Sequence, residues 1–152
     1  MALQKFNRFL IVFLLIITGF RNFEWHYKYV DIGLSPYVQE YYNLLHDYCP
    51  NKSYNTTVMY NIKIVSDLDD EAIGVCYRFF SGYKILIKKP WWDMATDANK
   101  RQLIYHEMAH CLIYREHEMR DMSHYMYPEF NNILQEDLLI QTVQDIEDFC
   151  GK

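Results

Sequence analysis

The sequence predicts a single α+β domain in which a small, mixed or largely antiparallel sheet lies between helices. Its 152 residues suit one domain, because a chain of this length can bury a sizeable core. Three segments rich in Val, Ile and Tyr have the character of strands: residues 57–65, 72–80 and 83–88. Apolar residues follow helical spacing before them, at 35–48, and after them, at 93–114 and 133–149. Strands grouped between helices are typical of the α+β class.

The N-terminus has the features of an export signal. Lys5 and Arg8 precede an uncharged apolar run at residues 9–20, as in a secretory leader. The run is shorter than the roughly 18–20 residues that a transmembrane helix needs. It lacks an A-x-A cleavage site, so an uncleaved membrane anchor is the main alternative, and a buried core element is the other. We therefore expect a signal peptide or anchor at residues 1–20 and an exported or membrane-tethered domain at residues 21–152.

The four cysteines fit an exported domain, because disulfides persist in oxidising compartments. Four cysteines allow three pairings, and we favour Cys49 with Cys150 and Cys76 with Cys111. Free buried thiols are the alternative. None of the cysteines has C-x-x-C spacing, which argues against a cysteine zinc site or a thioredoxin motif.

The charge balance argues against nucleic acid or anionic lipid as the main partner. The formal net charge is −5, and a negatively charged domain is repelled by phosphate groups. A neutral or basic peptide or protein remains a suitable partner. We expect the folded chain to be a monomer.

The first helix is predicted to begin at Ser35, as an N-cap followed by proline at the first helical position, and to end near Tyr48. Its apolar stripe consists of Val38, Tyr41, Tyr42 and Leu45. His46 lies off this stripe, so we expect it to face solvent. Ser81-Gly82 is predicted to form the turn of a hairpin between the last two strands.

A last helix is predicted over about residues 133–149 from the spacing of its apolar residues. Its acidic residues are most simply a solvated face: Glu136, Asp137, Asp145, Glu147 and Asp148. We expect the helix to pack on the sheet or on the helix before it.

The segment His106-Glu107-Met108-Ala109-His110 carries the predicted chemistry. Its flanks indicate a helix that starts after an N-cap at Asp93 or Thr96 and reaches about Tyr114. Histidines four residues apart stand on one face of a helix, so both imidazoles can bind one Zn²⁺. The carboxylate of Glu107 can then act on a water that the metal activates. The alternative is a helix with two partly buried, hydrogen-bonded histidines.

A third ligand has to come from beyond the helix, because catalytic zinc takes three protein ligands and leaves one position for water. We expect the chain to turn back near Tyr114, since helical continuation would carry the next side chains away from the metal. His117 and Glu116 then compete, and we prefer His117 because imidazole suits zinc well. Glu116 would give a His₂Glu site, which is also chemically acceptable. We expect His124 to be an exposed loop histidine.

This part of the chain resembles the metzincin clan of zinc endopeptidases, whose motif is HExxHxxGxxH followed by a methionine turn beneath the metal. The first half of that motif is matched by residues 106–110. Met126, in Ser123-His-Tyr-Met-Tyr-Pro128, resembles the methionine turn and is close to that of matrixins. The chain also resembles small phage and bacterial metallopeptidase-like proteins that carry HExxHCxxxRxH, a pattern that Cys111, Arg115 and His117 fit.

Two positions depart from the metzincin pattern. Ile113 stands where metzincins have glycine, and Glu116 stands where they have the third histidine. His117 follows one residue later, so a wider turn would have to absorb the extra residue.

The resemblance implies a metzincin-like fold: a small mixed sheet, an active-site helix, a methionine turn and a C-terminal helix. It implies a zinc-dependent endopeptidase with these ligands: His106, His110 and His117. Glu107 would be the general base and Met126 a hydrophobic floor beneath the metal. Tyr125 or Tyr127 could donate to a substrate oxyanion, but packing is the default interpretation in a chain with fourteen tyrosines. The alternative is a catalytically inactive zincin-fold protein that acts as an exported binding or structural module.

Overall fold

The computed structural model describes residues 28–51, 59–68, 71–129 and 133–151, and they form a mixed α+β fold. In chain order the elements are β1 (Lys28–Val30), α1 (Ser35–Tyr48), β2 (Met59–Val65), β3 (Gly74–Phe79), β4 (Gly82–Lys88), α2 (Lys89–Met94), α3 (Asp97–Met108), a π-helical turn (Ala109–Ile113) and α4 (Gln135–Cys150). The predicted leader or anchor at residues 1–20 lies outside the described residues. Among the helices that are described, none has the length and apolar character needed to cross a bilayer.

The sheet has the strand order β1-β2-β4-β3 and is mixed. Strands β1, β2 and β4 are parallel, and β3 pairs antiparallel with β4 at one edge. The three predicted strands are confirmed as β2, β3 and β4. Strand β1 is not predicted from the sequence, because three residues are too few to show an alternating period.

The core lies between one face of the sheet and the helices. Ile62 and Ile85 are opposite each other in β2 and β4, and both are fully buried. The predicted stripe of α1 contributes Val38, Tyr41 and Leu45 to this core. The prediction that Ser35 caps α1 is wrong: Leu34 holds the cap position and Ser35 is already helical, since the helix starts one residue earlier than the Ser-Pro signal indicates.

The remaining helices differ from the predictions in their bounds. Pro90 ends β4, as expected, but it also opens the short helix α2, because proline is compatible with a first helical turn. Thr96 caps α3, as one of the two predicted candidates, and its Oγ1 accepts the Asn99 N–H at 3.3 Å. Helix α4 begins two residues later than predicted, at Gln135, and ends before Gly151, whose φ of 76° suits glycine.

Both favoured disulfides are confirmed. Cys49–Cys150 joins the C-terminal ends of α1 and α4, and Cys76–Cys111 joins β3 to the π-helical turn. The Cα atoms are 5.8 Å apart in each pair, within the usual range for a disulfide. The second bond therefore attaches the edge strand directly to the end of the helical segment that carries the histidines.

Gly82 is needed where two strands approach closely rather than where the chain turns. The hairpin is confirmed, but Phe80 and Ser81 make the turn and Gly82 is the first residue of β4. A Cβ at this position would lie 1.8 Å from the carbonyl oxygen of Met59 in β2. Because that neighbour is backbone, the overlap could be relieved only by separating the central strands.

We expect Gly82→Ala to lower the free energy of unfolding by at least about 2 kcal/mol, because of this backbone overlap. Gly33→Ala is the matched control, since a Cβ there meets nothing closer than 3.9 Å. Chemical denaturation of both variants measures the difference. Equal stability of the two variants would show that the strands at Gly82 can separate without cost.

Candidate metal centre

Three histidine side chains converge on one point beside α3. The Nε2 atom of His106 lies 3.1 Å from that of His110 and 3.2 Å from that of His117. The His110 and His117 Nε2 atoms are 3.1 Å apart. These three residues lie close enough to bind a metal ion.

Backbone carbonyls fix the orientation of two of these rings. His106 donates from Nδ1 to the carbonyl oxygen of Tyr125 at 2.8 Å, and His110 donates from Nδ1 to that of Arg115 at 2.6 Å. A carbonyl cannot donate, so each Nδ1 carries the hydrogen and each Nε2 keeps its lone pair. Burial lowers the pKa of His106 to about 4 and also lowers that of His110, so both rings are neutral near pH 7.

This donor set fits a metal ion. Lone pairs facing each other at 3.1 Å repel unless a cation lies between them. In a tetrahedral site with bonds of 2.0–2.1 Å, neighbouring nitrogens lie about 3.3 Å apart, close to the spacing seen here. Ligating histidines also usually donate their other N–H to a carbonyl or carboxylate, as His106 and His110 do.

A π-helical turn precedes the third histidine of the cluster, His117. Helix α3 ends at Met108, and the next five residues, Ala109–Ile113, form wider turns in which the bond spans five residues instead of four. Tyr114 then adopts a left-handed conformation with φ 59° and ψ 28°, and the chain reverses. The π-helical turn and the reversal at Tyr114 bring His117 back to the other two histidines.

The other candidate ligands lie apart from this cluster. Glu116 is exposed and lines the same cleft, but it does not belong to the group of converging side chains. His124 is half-buried rather than exposed, because its ring stacks on Tyr125 and its Nδ1 accepts the Met126 N–H at 3.1 Å. His46 faces solvent, as predicted.

Glu107 is buried beside the histidines and borders the same cleft. Burial raises its pKa to about 8, partly offset by a hydrogen bond that its carboxylate accepts from the Cys76 N–H. Gly74 makes room for it: a Cβ at that position would lie 2.8 Å from Glu107 Oε1 and 3.0 Å from Leu103 Cδ1. Strand β3 therefore packs its backbone directly against this carboxylate.

The predicted methionine turn lies against the cluster through its backbone. Met126 is fully buried, and its carbonyl oxygen accepts the Glu118 N–H at 3.0 Å. The preceding residue, Tyr125, supplies the carbonyl that holds His106. Tyr125 is itself buried and its hydroxyl donates to Asp145 at 2.9 Å, so it is not available to a substrate. Tyr127 lines the cleft.

A cleft of about 600 Å³ opens over the cluster. Its walls are formed by β3, by α3 and by the segment that includes Tyr127 and Pro128. The lining includes Gly74, Cys76, Glu107, Tyr127 and Pro128 together with all three histidines. The histidine cluster therefore lies on the wall of an open groove rather than inside a closed core.

Three contributors to the site are not found from the sequence. Gly74 has a weak sequence signal, since a glycine inside a strand pattern indicates close backbone approach. The Cys76 N–H has no sequence signal, because every residue except proline supplies a backbone donor. Asp145 is the clearest correction: instead of belonging to a solvated face it is 5% exposed, forms an ion pair with Arg115 and accepts from Tyr125.

We expect His117→Ala to weaken zinc binding by at least about a hundredfold, because it removes one of three converging nitrogens. Glu116→Ala is the matched control: it changes the neighbouring residue and leaves the cluster intact. Competition with a chromogenic chelator gives the dissociation constant of each variant. The assignment of ligands is overturned if Glu116→Ala is the variant that loses the metal.

Tyr114 provides a test of the reversal. The left-handed conformation costs an L-residue roughly 1 kcal/mol, so Tyr114→Gly should be more stable than Tyr114→Ala by about that amount. Both variants lose the ring contact with Arg78, so that contact cancels in the comparison. Leu139 is an exposed position within α4, and there the order should be the opposite: Leu139→Ala should be more stable than Leu139→Gly. If the glycine and alanine variants had the same order of stability at both positions, the left-handed conformation of Tyr114 would be contradicted.

Comparisons of the chain with protein-family models, with curated proteins and with solved structures find no match. No family assignment therefore supports a function. The functional argument rests on the geometry of the histidine cluster, on Glu107 and on the cleft.

Proposed function

We propose that this chain is a zinc-dependent endopeptidase in which His106, His110 and His117 hold Zn²⁺ and Glu107 is the general base. One observation carries the proposal: three imidazole nitrogens, at least two of them with free lone pairs, converge at metal-binding spacing on the wall of an open cleft. The metzincin-like arrangement implied by the sequence motif is part of this proposal, and so is an exported location, which the two disulfides favour.

The number and type of side chains support a catalytic zinc site. Structural zinc sites are usually closed by four protein ligands, whereas catalytic sites have three and an open position. Within the described part of the chain, the group of converging side chains contains three histidines and no fourth His, Cys, Asp or Glu. The nearby Cys76 and Cys111 are joined to each other.

Zinc, when bound, supplies Lewis-acid chemistry that lowers the pKa of water and polarises a carbonyl group. Glu107 accepts a proton at its carboxylate and later returns it to the leaving amine. Burial raises its pKa to about 8 in the metal-free chain, and a cation bound beside it would favour the carboxylate form that accepts the proton. The Cys76 N–H and the adjacent Gly74 backbone fix the position of the carboxylate.

The edge strand supports a peptide as substrate. Lys88 N–H donates to Ile73 O, so by antiparallel alternation the backbone groups of Gly74, Cys76 and Arg78 point away from β4. These three residues line the cleft. Glu107 accepts the Cys76 N–H, so a peptide would pair with the other outward backbone groups of this edge and lie across the histidine cluster. Pairing with a strand edge is a common mode of peptide recognition.

We expect Glu107→Gln to keep stoichiometric zinc and to lose at least about a thousandfold in peptide hydrolysis, because the amide cannot accept the proton. Glu136→Gln is the control, since this exposed glutamate lies in the first turn of α4. Cleavage of a mixed peptide library by the wild-type chain and both variants, read by mass spectrometry, tests the proposal. A metal chelator should abolish the wild-type activity.

Undiminished cleavage by Glu107→Gln would contradict the assigned base. Stoichiometric zinc with no cleavage of any peptide by the wild-type chain would favour an exported binding module instead. Absence of bound zinc after purification without chelators would overturn the metal assignment itself.

A further inference from the structure

His106, in α3, and His110, in the π-helical turn, depend on carbonyls that come from two separate segments of the following chain. Arg115 follows the left-handed turn and holds His110, and Tyr125 lies in the methionine turn and holds His106. Nine residues of irregular chain lie between Arg115 and Tyr125, so a further contact is needed to hold their carbonyls in a fixed relation to each other.

A single carboxylate on α4 contacts both of these residues. Asp145 Oδ2 accepts the Tyr125 hydroxyl hydrogen at 2.9 Å, and Asp145 Oδ1 lies 3.1 Å from Arg115 Nε. The contact between Arg115 and Asp145 is an ion pair and not a hydrogen bond, because the Arg115 Nε–H does not point at the carboxylate oxygen. The Asp145 side chain is 4% exposed, so the pair with Arg115 is only weakly screened by solvent.

Gln141, one turn earlier on the same face of α4, holds the backbone of the methionine turn. Its Oε1 accepts the Tyr125 N–H at 2.9 Å and its Nε2 donates to Ser123 O at 3.2 Å. Helix α4 is in turn fixed at its end by the Cys49–Cys150 disulfide. The methionine turn is therefore attached to an anchored helix through both its backbone and the Tyr125 side chain.

We infer that Asp145 is a positioning residue for the metal centre: by holding Tyr125 and Arg115 together, it sets the orientation in which His106 and His110 present Nε2. The inference rests on the proposed metal binding. It adds that the affinity of the site is determined partly by a helix that contributes no ligand. Outer contacts of this kind typically affect metal affinity by 10–100-fold.

Two substitutions test the inference without removing a ligand. Asp145→Asn removes the counter-charge of Arg115, and Tyr125→Phe removes the hydroxyl while keeping the ring. Asp148→Asn is the matched control, with the same change of charge at an exposed position on the same helix. The zinc dissociation constant of each purified full-length variant is measured by competition with a chromogenic chelator.

We expect Asp145→Asn to raise the zinc dissociation constant at least about tenfold, and Asp148→Asn to change it less than about twofold. The double variant with Tyr125→Phe should lose less than the product of the two single effects, because both substitutions alter the same contact between Tyr125 and Asp145. Unfolding of the metal-free proteins is measured in parallel. A fall in stability with an unchanged dissociation constant would reduce Asp145 to a structural role and overturn the inference.

A second readout needs no metal. In metal-free wild-type protein, the Nδ1 hydrogen of His106 should give a slowly exchanging imidazole NMR signal, because it is bonded to Tyr125 O. Asp145→Asn and Tyr125→Phe should broaden or remove this signal, and Asp148→Asn should keep it. An unchanged signal in the first two variants overturns the inference. If the wild-type chain binds no zinc, the proposed function fails, and this signal still decides the role of Asp145.

Discussion

Imidazole nitrogens that carry lone pairs repel each other at 3.1 Å, and the fold holds two such nitrogens, with a third beside them, in this arrangement. Two carbonyl acceptors maintain it, because each fixes the Nδ1 hydrogen on the outer side of its ring. If either carbonyl moved, the ring could rotate or change tautomer and the convergence would be lost. Much of the surrounding structure can be understood as support for these carbonyls, at Arg115 and Tyr125.

The carboxylate beside the cluster is held in a different way. Glu107 is buried against the backbone of an edge strand, with one hydrogen bond from Cys76 and no side chain at Gly74. Burial without a paired cation is what raises its pKa to about 8, and a bulkier residue at Gly74 would displace it. The Cys76–Cys111 disulfide keeps this strand against the helical segment, so the same bond maintains both the position of Glu107 and the wall of the cleft.

The irregular loop beside the histidine cluster needs fixed attachment points, and the C-terminal helix supplies them. This loop, from Tyr114 to Pro128, has little regular structure of its own. Gln141 and Asp145 bind it from one face of α4, and Cys150 attaches that helix to α1. The order of the histidine cluster therefore depends on contacts far along the chain from the HExxH segment.

The sequence by itself predicted the α+β class, three of the four strands in the described residues and the candidate metal-binding histidines, because each depends on periodicity, spacing or residue chemistry. It left three cysteine pairings open, and the structure selected the favoured one. The local sequence pattern does not predict β1, because this strand is too short to show a period. It does not predict the π-helical turn either, because the wider hydrogen bonds do not change the spacing of the apolar residues. Only the tertiary structure decided that His117 rather than Glu116 joins the cluster, and that Asp145 is buried among partners instead of solvated. The reason is the same in both cases: a side chain's direction and burial depend on distant elements packed against it, and those contacts are absent from any local stretch of sequence.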